Sequence, residues 1–251
     1  MKITNNYLTR NRPYTKRTRT SAVAVHWVGN PSSSAIANRN YFQNTTREVS
    51  SNYIVGLSGE IICCIPDDEV SWCTNQANPY TVSIETCHPD CTGKFNDLTY
   101  NSLVELTATL CKKYKLNPKN GGVIRHFDVT RKVCPKWFVP AKNGGSDTND
   151  GQHWNKFLND VYEKMNGKKV PKSSGTKWKQ GEKVTIRDKS PLFANESTTT
   201  PSSRLHGGTY YIYDGVQCKL GRYRITTKKE YCGKKPAGKY VTGYVSYDNF
   251  S

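Results

Sequence analysis

The run IRHFDVTRKVCPKW, Ile124 to Trp137, gathers His126, Lys132 and Cys134 in a segment that is otherwise turn-like and aromatic. Imidazole and thiolate are zinc donors, and a catalytic zinc site takes about three protein ligands and leaves one position open for water. The spacing of His126 and Cys134 is wider than the close ligand pair of a structural zinc finger. A thiol nucleophile with its base is a second reading. A loop in which each residue merely packs is a third. Cys134 stands directly before Pro135, not at a helix N-terminus that would lower its pKa, which ranks the nucleophile below the metal.

A further donor comes from AVAVHWV, Ala22 to Val28, an apolar, β-prone run that reads as a buried strand with His26 near its C-terminal end. Strand ends are where α/β proteins expose chemistry, and a ligand from a separate strand end suits an open metal site on a rigid sheet. Glu85 sits close to the end of another short strand, TVSIETCH. A carboxylate there is costly unless its charge is used or it reaches water at a sheet edge. Lys132 lies between His126 and Cys134, and in so basic a chain its position alone fits a solvated side chain.

The elements that must hold these residues follow from periodicity. SNYIVGLSGEIICCIP predicts a hairpin turning at Gly59, and SSSAIANRNYFQNTTREV a helix through about Thr46 with a serine N-cap. Leu103, Leu106, Leu110 and Tyr114 recur at helical spacing, as do Trp154, Phe157, Leu158, Val161 and Met165. NGKKVPKSSGTKWKQG, rich in Lys, Ser and Gly without apolar period, reads as a linker. Beyond it KVTIRD, TYYIYDG, GRYRITT and YVTGYVSYDNF alternate with turn residues, as in a small all-β barrel.

A chain of 251 residues can bury a real core, and its net charge of +17 calls for an anionic partner: nucleic acid, a membrane surface or an acidic envelope polymer. Nine cysteines, with Cys63 and Cys64 adjacent, do not resemble a secreted disulfide framework, so reduced thiols are expected. Cys63, Cys64, Cys87 and Cys91 could form a second metal cluster, CHPDC being the most tempting piece; packing as small hydrophobes is the commoner role. MKITNNYLTRNRPYTKRTRT lacks the apolar run of a signal peptide, and no stretch reaches the roughly 18 apolar residues of a membrane helix.

Four segments in this order, AVHWVGN, SNYIVGLSGEI, VSIETCHP and RHFDVTRKVCP, resemble the type-2 N-acetylmuramoyl-L-alanine amidases of phage endolysins and bacterial autolysins, zinc enzymes related to peptidoglycan-recognition proteins. The resemblance covers roughly residues 1–165. It implies an α/β catalytic domain with a central mixed β-sheet flanked by helices. It further implies His26, His126 and Cys134 as ligands of Zn2+, Glu85 as the acidic catalytic residue and Lys132 as its assistant. Two positions depart from relatives: Ser51 stands where peptidoglycan-recognition amidases carry a catalytic tyrosine, and Cys73 where many relatives have histidine.

The segment after the linker resembles bacterial Src-homology-3-like cell-wall-binding barrels. The expected layout is a zinc amidase domain at 1–165, a linker at 166–178 and the barrel at 179–251. The barrel is the more basic half, with about 17 Lys and Arg against about 6 Asp and Glu from Asn166 onward. Tyr210, Tyr211, Tyr213, Tyr223 and Tyr240 are candidates for an aromatic groove, though alternation sends half of them inward. The whole reads as an endolysin made in a bacterial cytoplasm and released at lysis, acting on Gram-positive, clostridial-type peptidoglycan without membrane insertion or specific nucleic-acid binding. A recognition protein that kept the fold and lost the chemistry is the alternative.

Overall fold

A computed structural model describes residues 1–167, 178–196, 198, 201–218, 222–246 and 249–250. The chain divides into two compact units, Met1–Val170 and Pro171–Ser251. Most of the predicted linker, residues 168–177, lies outside the described residues.

The first unit is built on a six-stranded mixed sheet. In chain order its strands are β1 (Ile3–Asn5), β2 (Ala22–Val25), β3 (Tyr53–Val55), β4 (Ile61–Cys63), β5 (Thr81–Thr86) and β6 (Val123–Arg125), arranged β1-β4-β3-β5-β2-β6. Only the β3–β4 pair is antiparallel. It is the predicted hairpin: Gly59 has φ +78°, and a Cβ there would stand 2.9 Å from the Leu98 carbonyl oxygen, so only glycine closes the turn without strain. All four residues of β2 are buried, as a strand between β5 and β6 requires. The strand β1 carries no such apolar signature; its parallel pairing with β4 gives it its form.

Alternation divides the sheet into two faces. Val23, Val25, Val82, Ile84 and Val123 point to one side, into a core with Leu103, Leu106 and Leu110 of α2 (Asp97–Tyr114). The helix α2 starts where Asn96 accepts a hydrogen bond from the Thr99 amide at 2.9 Å, has Asp97 in its first turn and ends with Lys112 and Lys113 in its last, each suited to the helix dipole. Each fully buried Leu in this layer contributes about 1.5–3 kcal/mol.

The opposite face is covered only in part. Ile54, Ile62 and Cys64 pack there with Leu8 and with Ala35 and Phe42 of α1 (Ala35–Asn44), capped by Ser34 as its serines suggest. The rest of this face, along β2, β5 and β6, holds the residues singled out for chemistry. Two short elements complete the unit: α3 (His126–Thr130), directly after β6, and α4 (Gln152–Met165), whose Trp154, Phe157 and Val161 enter the α2 core.

In the second unit, β7 (Lys183–Ile186), β10 (Gly208–Cys218), β11 (Arg222–Thr226) and β12 (Gly243–Ser246) form an antiparallel sheet ordered β12-β11-β10-β7. β8 (Pro191–Leu192) pairs with β9 (Ser203–Arg204), and isolated bridges join Phe193 to Tyr244 and Ile186 to Phe250. Val184, Ile186, Ile212, Tyr223, Ile225 and Val245 form its core. The expected strand YVTGYVSYDNF is shorter than the pattern suggests: Ala237–Tyr240 is a helical turn, α5, and pairing starts at Gly243. Among the described residues no helix is long and apolar enough to cross a membrane.

Candidate metal centre

The strand β2 ends at Val25, so His26 is the first residue beyond it, held in line by its amide bonding to the Ile84 carbonyl at 2.9 Å. His126 opens α3 one residue past the end of the adjacent β6. Cys134 is brought back by the loop after α3, where its carbonyl accepts from the Phe127 amide at 3.0 Å. The result is convergence: ligand atoms of His26, His126 and Cys134 all lie within 4.8 Å of one another, and all three residues are buried. Cys134 Sγ is 3.6 Å from His26 Nδ1, and the two imidazoles meet edge to face at 4.9 Å.

The outward nitrogen of each ring is already engaged. His26 Nε2 lies 2.9 Å from Thr74 Oγ1, which is 2.9 Å from Ser83 Oγ. His126 Nε2 lies 2.8 Å from Asn75 Oδ1. An amide oxygen only accepts, so His126 must carry its proton on Nε2 and present the Nδ1 lone pair. His26 does the same when Nε2 donates to Thr74. Adjacent residues of one loop thus engage the outward nitrogens of both histidines, and Asn75 sets the tautomer of His126. The side chain of Asn78 pins that loop by accepting from the amides of Cys73 (3.1 Å) and Thr74 (2.6 Å). Thr74 and Asn75 carry no sequence signal of their own beyond lying in SWCTNQAN, and sequence reasoning missed them.

Burial opposes protonation of both rings. His26 is held well below the ordinary histidine range by desolvation, reinforced by His126 and Lys132, and His126 falls to about 4 by desolvation and then Lys132. Neutral imidazoles are what metal binding requires. Two imidazoles and a thiol, presenting lone pairs at one point with outer hydrogen bonds in place, fit Zn2+ and leave room for a non-protein ligand.

Glu85 is on the same face of β5 as Ser83. Its Oε1 accepts from the Cys73 thiol at 3.6 Å, while Oε2 is shut off from solvent with no hydrogen-bond partner. Desolvation lifts its pKa to about 8, against the lowering effects of Cys73 and Lys132. Glu85, Cys73 and His26 also bring ligand atoms within 4.8 Å of one another, so Cys73 lines the centre and its thiol is pushed up by burial and by Glu85. Lys132 is exposed, but its charge is felt at His26, His126, Glu85 and Cys134. Ser51 is fully buried, its hydroxyl directed at the carbonyls of Tyr53 and Ser83, both at 2.9 Å. Its role is to tie β3 to β5.

No second cluster of metal-ligating groups forms around CHPDC among the described residues. Cys63, Cys64 and Cys87 are buried free thiols and Cys91 is exposed. Both ring nitrogens of His88 face backbone carbonyls, of Asp90 and Val28, each at 2.6 Å, and the neutral ring donates to one of them.

Known proteins resemble this chain in sequence and in fold. Residues 16–137 match the family model described as N-acetylmuramoyl-L-alanine amidase. The chain is 30% identical over 198 residues to the N-acetylmuramoyl-L-alanine amidase BlyA of Bacillus subtilis (strain 168), covering 70% of this chain and 51% of that protein. It is 32% identical over 158 residues to a probable N-acetylmuramoyl-L-alanine amidase of Bacillus licheniformis, covering 55% and 44%. The chain therefore spans about half the length of the curated relatives it matches. Among solved structures, the PlyG catalytic domain superposes with a TM-score of 0.53 at 20% identity, covering 66% of this chain and 96% of that one. A mutant endolysin from Bacillus subtilis gives 0.51 at 20% identity, covering 64% and 99%. At such identity these structures establish a shared fold, the mixed sheet with its flanking helices.

Proposed function

We propose that the first unit is a zinc-dependent N-acetylmuramoyl-L-alanine amidase that cleaves the amide between N-acetylmuramic acid and the L-alanine of bacterial peptidoglycan. The observation that carries this reading is the convergence of His26, His126 and Cys134 beside a buried carboxyl, Glu85, on a fold shared with endolysin catalytic domains. His26 and His126 would hold the ion through Nδ1 and Cys134 through Sγ. When bound, zinc supplies a Lewis acid and lowers the pKa of water at the site.

The chain's own groups perform the rest. Glu85 takes the proton of the attacking water and returns it to the departing L-alanine nitrogen. Desolvation raises its pKa, which favours its holding the proton between the two halves of that exchange. Lys132 balances the negative charge that grows on the lactyl carbonyl oxygen. Ser51, committed to the backbone, takes no part, so the proton traffic falls to Glu85.

The second unit is read as a Src-homology-3-like wall-binding module, and the whole as a phage-type endolysin acting on Gram-positive wall. Two modules on one polymer gain avidity, because the second contact becomes intramolecular. The deciding experiment digests purified Gram-positive wall and assays new L-alanine amino termini against new reducing ends, with and without a zinc chelator. New amino termini that vanish with chelator are expected. Reducing ends would make the protein a glycosidase, and neither product would make it a binding protein.

A further inference from the structure

We propose that the connection between β11 and β12, residues 227–242, is a binding site for an anionic phosphodiester polymer of the bacterial wall. Neighbouring antiparallel strands need only about two to five residues to join them. This connection instead contains two helical turns, Lys229–Tyr231 and Ala237–Tyr240. It is ordered by its own bonds: the Lys234 amide donates to Tyr231 at 3.2 Å, the Val241 amide to Ala237 at 2.9 Å, and the Tyr213 hydroxyl to the Lys234 carbonyl. Tyr231 and Tyr240 meet at 5.3 Å across it.

On this frame stand Lys228, Lys229, Lys234, Lys235 and Lys239, all exposed, with Glu230 as the one carboxylate of the segment. Among the described residues none of these lysines makes an ion pair, whereas Arg224 nearby in sequence is matched by Asp214. Like charges gathered on an ordered loop repel, and among the described residues no ion pair of these lysines offsets that cost. A bound polyanion would, and the preformed loop reduces the ordering penalty of capturing it.

The aromatic geometry selects among polyanions. Lys228 Nζ lies 5.4 Å over the Tyr231 ring and Lys239 Nζ 5.7 Å over Tyr240, while the rings are tilted against each other by 51°. Each ring thus braces a lysine and leans on the other ring, a contact pattern that serves the charges rather than a flat stack of nucleobases. Lysine binds phosphate as a point charge without needing fixed planar geometry. A polymer with one phosphate per unit can engage several of them at once.

The choice of a wall polymer rests on the reading of the first unit as wall-directed, but the test needs no hydrolysis. The full chain is titrated with poly(glycerol phosphate) and, separately, with single-stranded RNA of matched length, over a range of salt. Removing three loop charges (Lys229→Gln, Lys234→Gln, Lys235→Gln) is expected to weaken poly(glycerol phosphate) binding at least about tenfold and to flatten its salt dependence. Removing three from the first unit (Lys2→Gln, Lys112→Gln, Lys115→Gln) should change it little, and the three loop lysines replaced by arginine should restore it. Equal losses in the two glutamine sets, no binding by the parent chain, or tighter binding of RNA would each overturn the proposal. Failure of the amidase reading would appear separately, in the wall-digestion products.

Discussion

The two faces of the six-stranded sheet are made by alternate residues of the same strands, yet they differ in kind. On one side Val23, Val25, Val82, Ile84 and Val123 meet α2 in a predominantly apolar layer. On the other, Ser83 and Glu85 stand among thiols and imidazoles, and an orphaned carboxyl oxygen is left buried. Burial stabilises on the first face and perturbs protonation on the second. Holding costly groups such as Glu85 in place is possible because the opposite face supplies the stability.

That division can be broken from either side. The largest effect belongs to the chemical face. His126→Ala and Cys134→Ser should remove zinc, measured by metal analysis, and amidase activity with it. Glu85→Ala should cut activity by about 10²–10⁴-fold with zinc retained. All three should melt close to the parent in their metal-free forms, and a large drop in that melting temperature would show that the site also carries the fold.

On the apolar face, Leu106→Ala should cost about 3 kcal/mol in denaturant unfolding while the folded fraction keeps its turnover. A loss of turnover in fully folded protein would mean that the two faces are coupled.

Thr74→Val and Asn75→Ala test the outer hydrogen bonds. Each should weaken zinc binding by about 10- to 100-fold in chelator competition, with little change in unfolding of the metal-free chain. Unchanged affinity in both would leave the tautomers set by something else.

The smallest effect sharpens the contrast away from the site. Arg12 grips Glu69 through two bonds of 2.7 and 2.9 Å and holds this carboxyl below its ordinary range. The stability gained is fully present above the ordinary glutamate pKa and is lost as pH falls through the depressed one. Glu69→Gln should therefore melt below the parent at pH 7, by roughly 2 kcal/mol, with the gap closing below about pH 4. A gap that persists in acid would assign the contribution to packing.

Much of this was legible in the chain. Apolar runs ending in His26 and Glu85 announced the strands, and Leu103, Leu106 and Leu110 announced the helix that backs them. What could not be read is tertiary in origin. The strand β1 exists because β4 offers an edge. Thr74 and Asn75 matter through where a loop folds, with Asn75 at φ +53°, which no local pattern encodes. In the second unit Tyr213 and Tyr223 proved to be buried, and the aromatic contact in the lysine-rich connection pairs Tyr240 with Tyr231, which strand alternation did not single out.

The hydroxyls beside His26 have one further property, a direction. Each owns a single proton. If His26 donates from Nε2, the Thr74 hydroxyl is left to donate onward to Ser83, while the Cys73 thiol donates to Glu85. The run from imidazole to Ser83 has one polarity. Moving the proton of His26 to its other nitrogen turns the Thr74 hydroxyl back toward the ring and leaves Ser83 to donate to Thr74. Three side chains, His26, Thr74 and Ser83, therefore share one binary state, and whatever occupies Nδ1 of the histidine selects it.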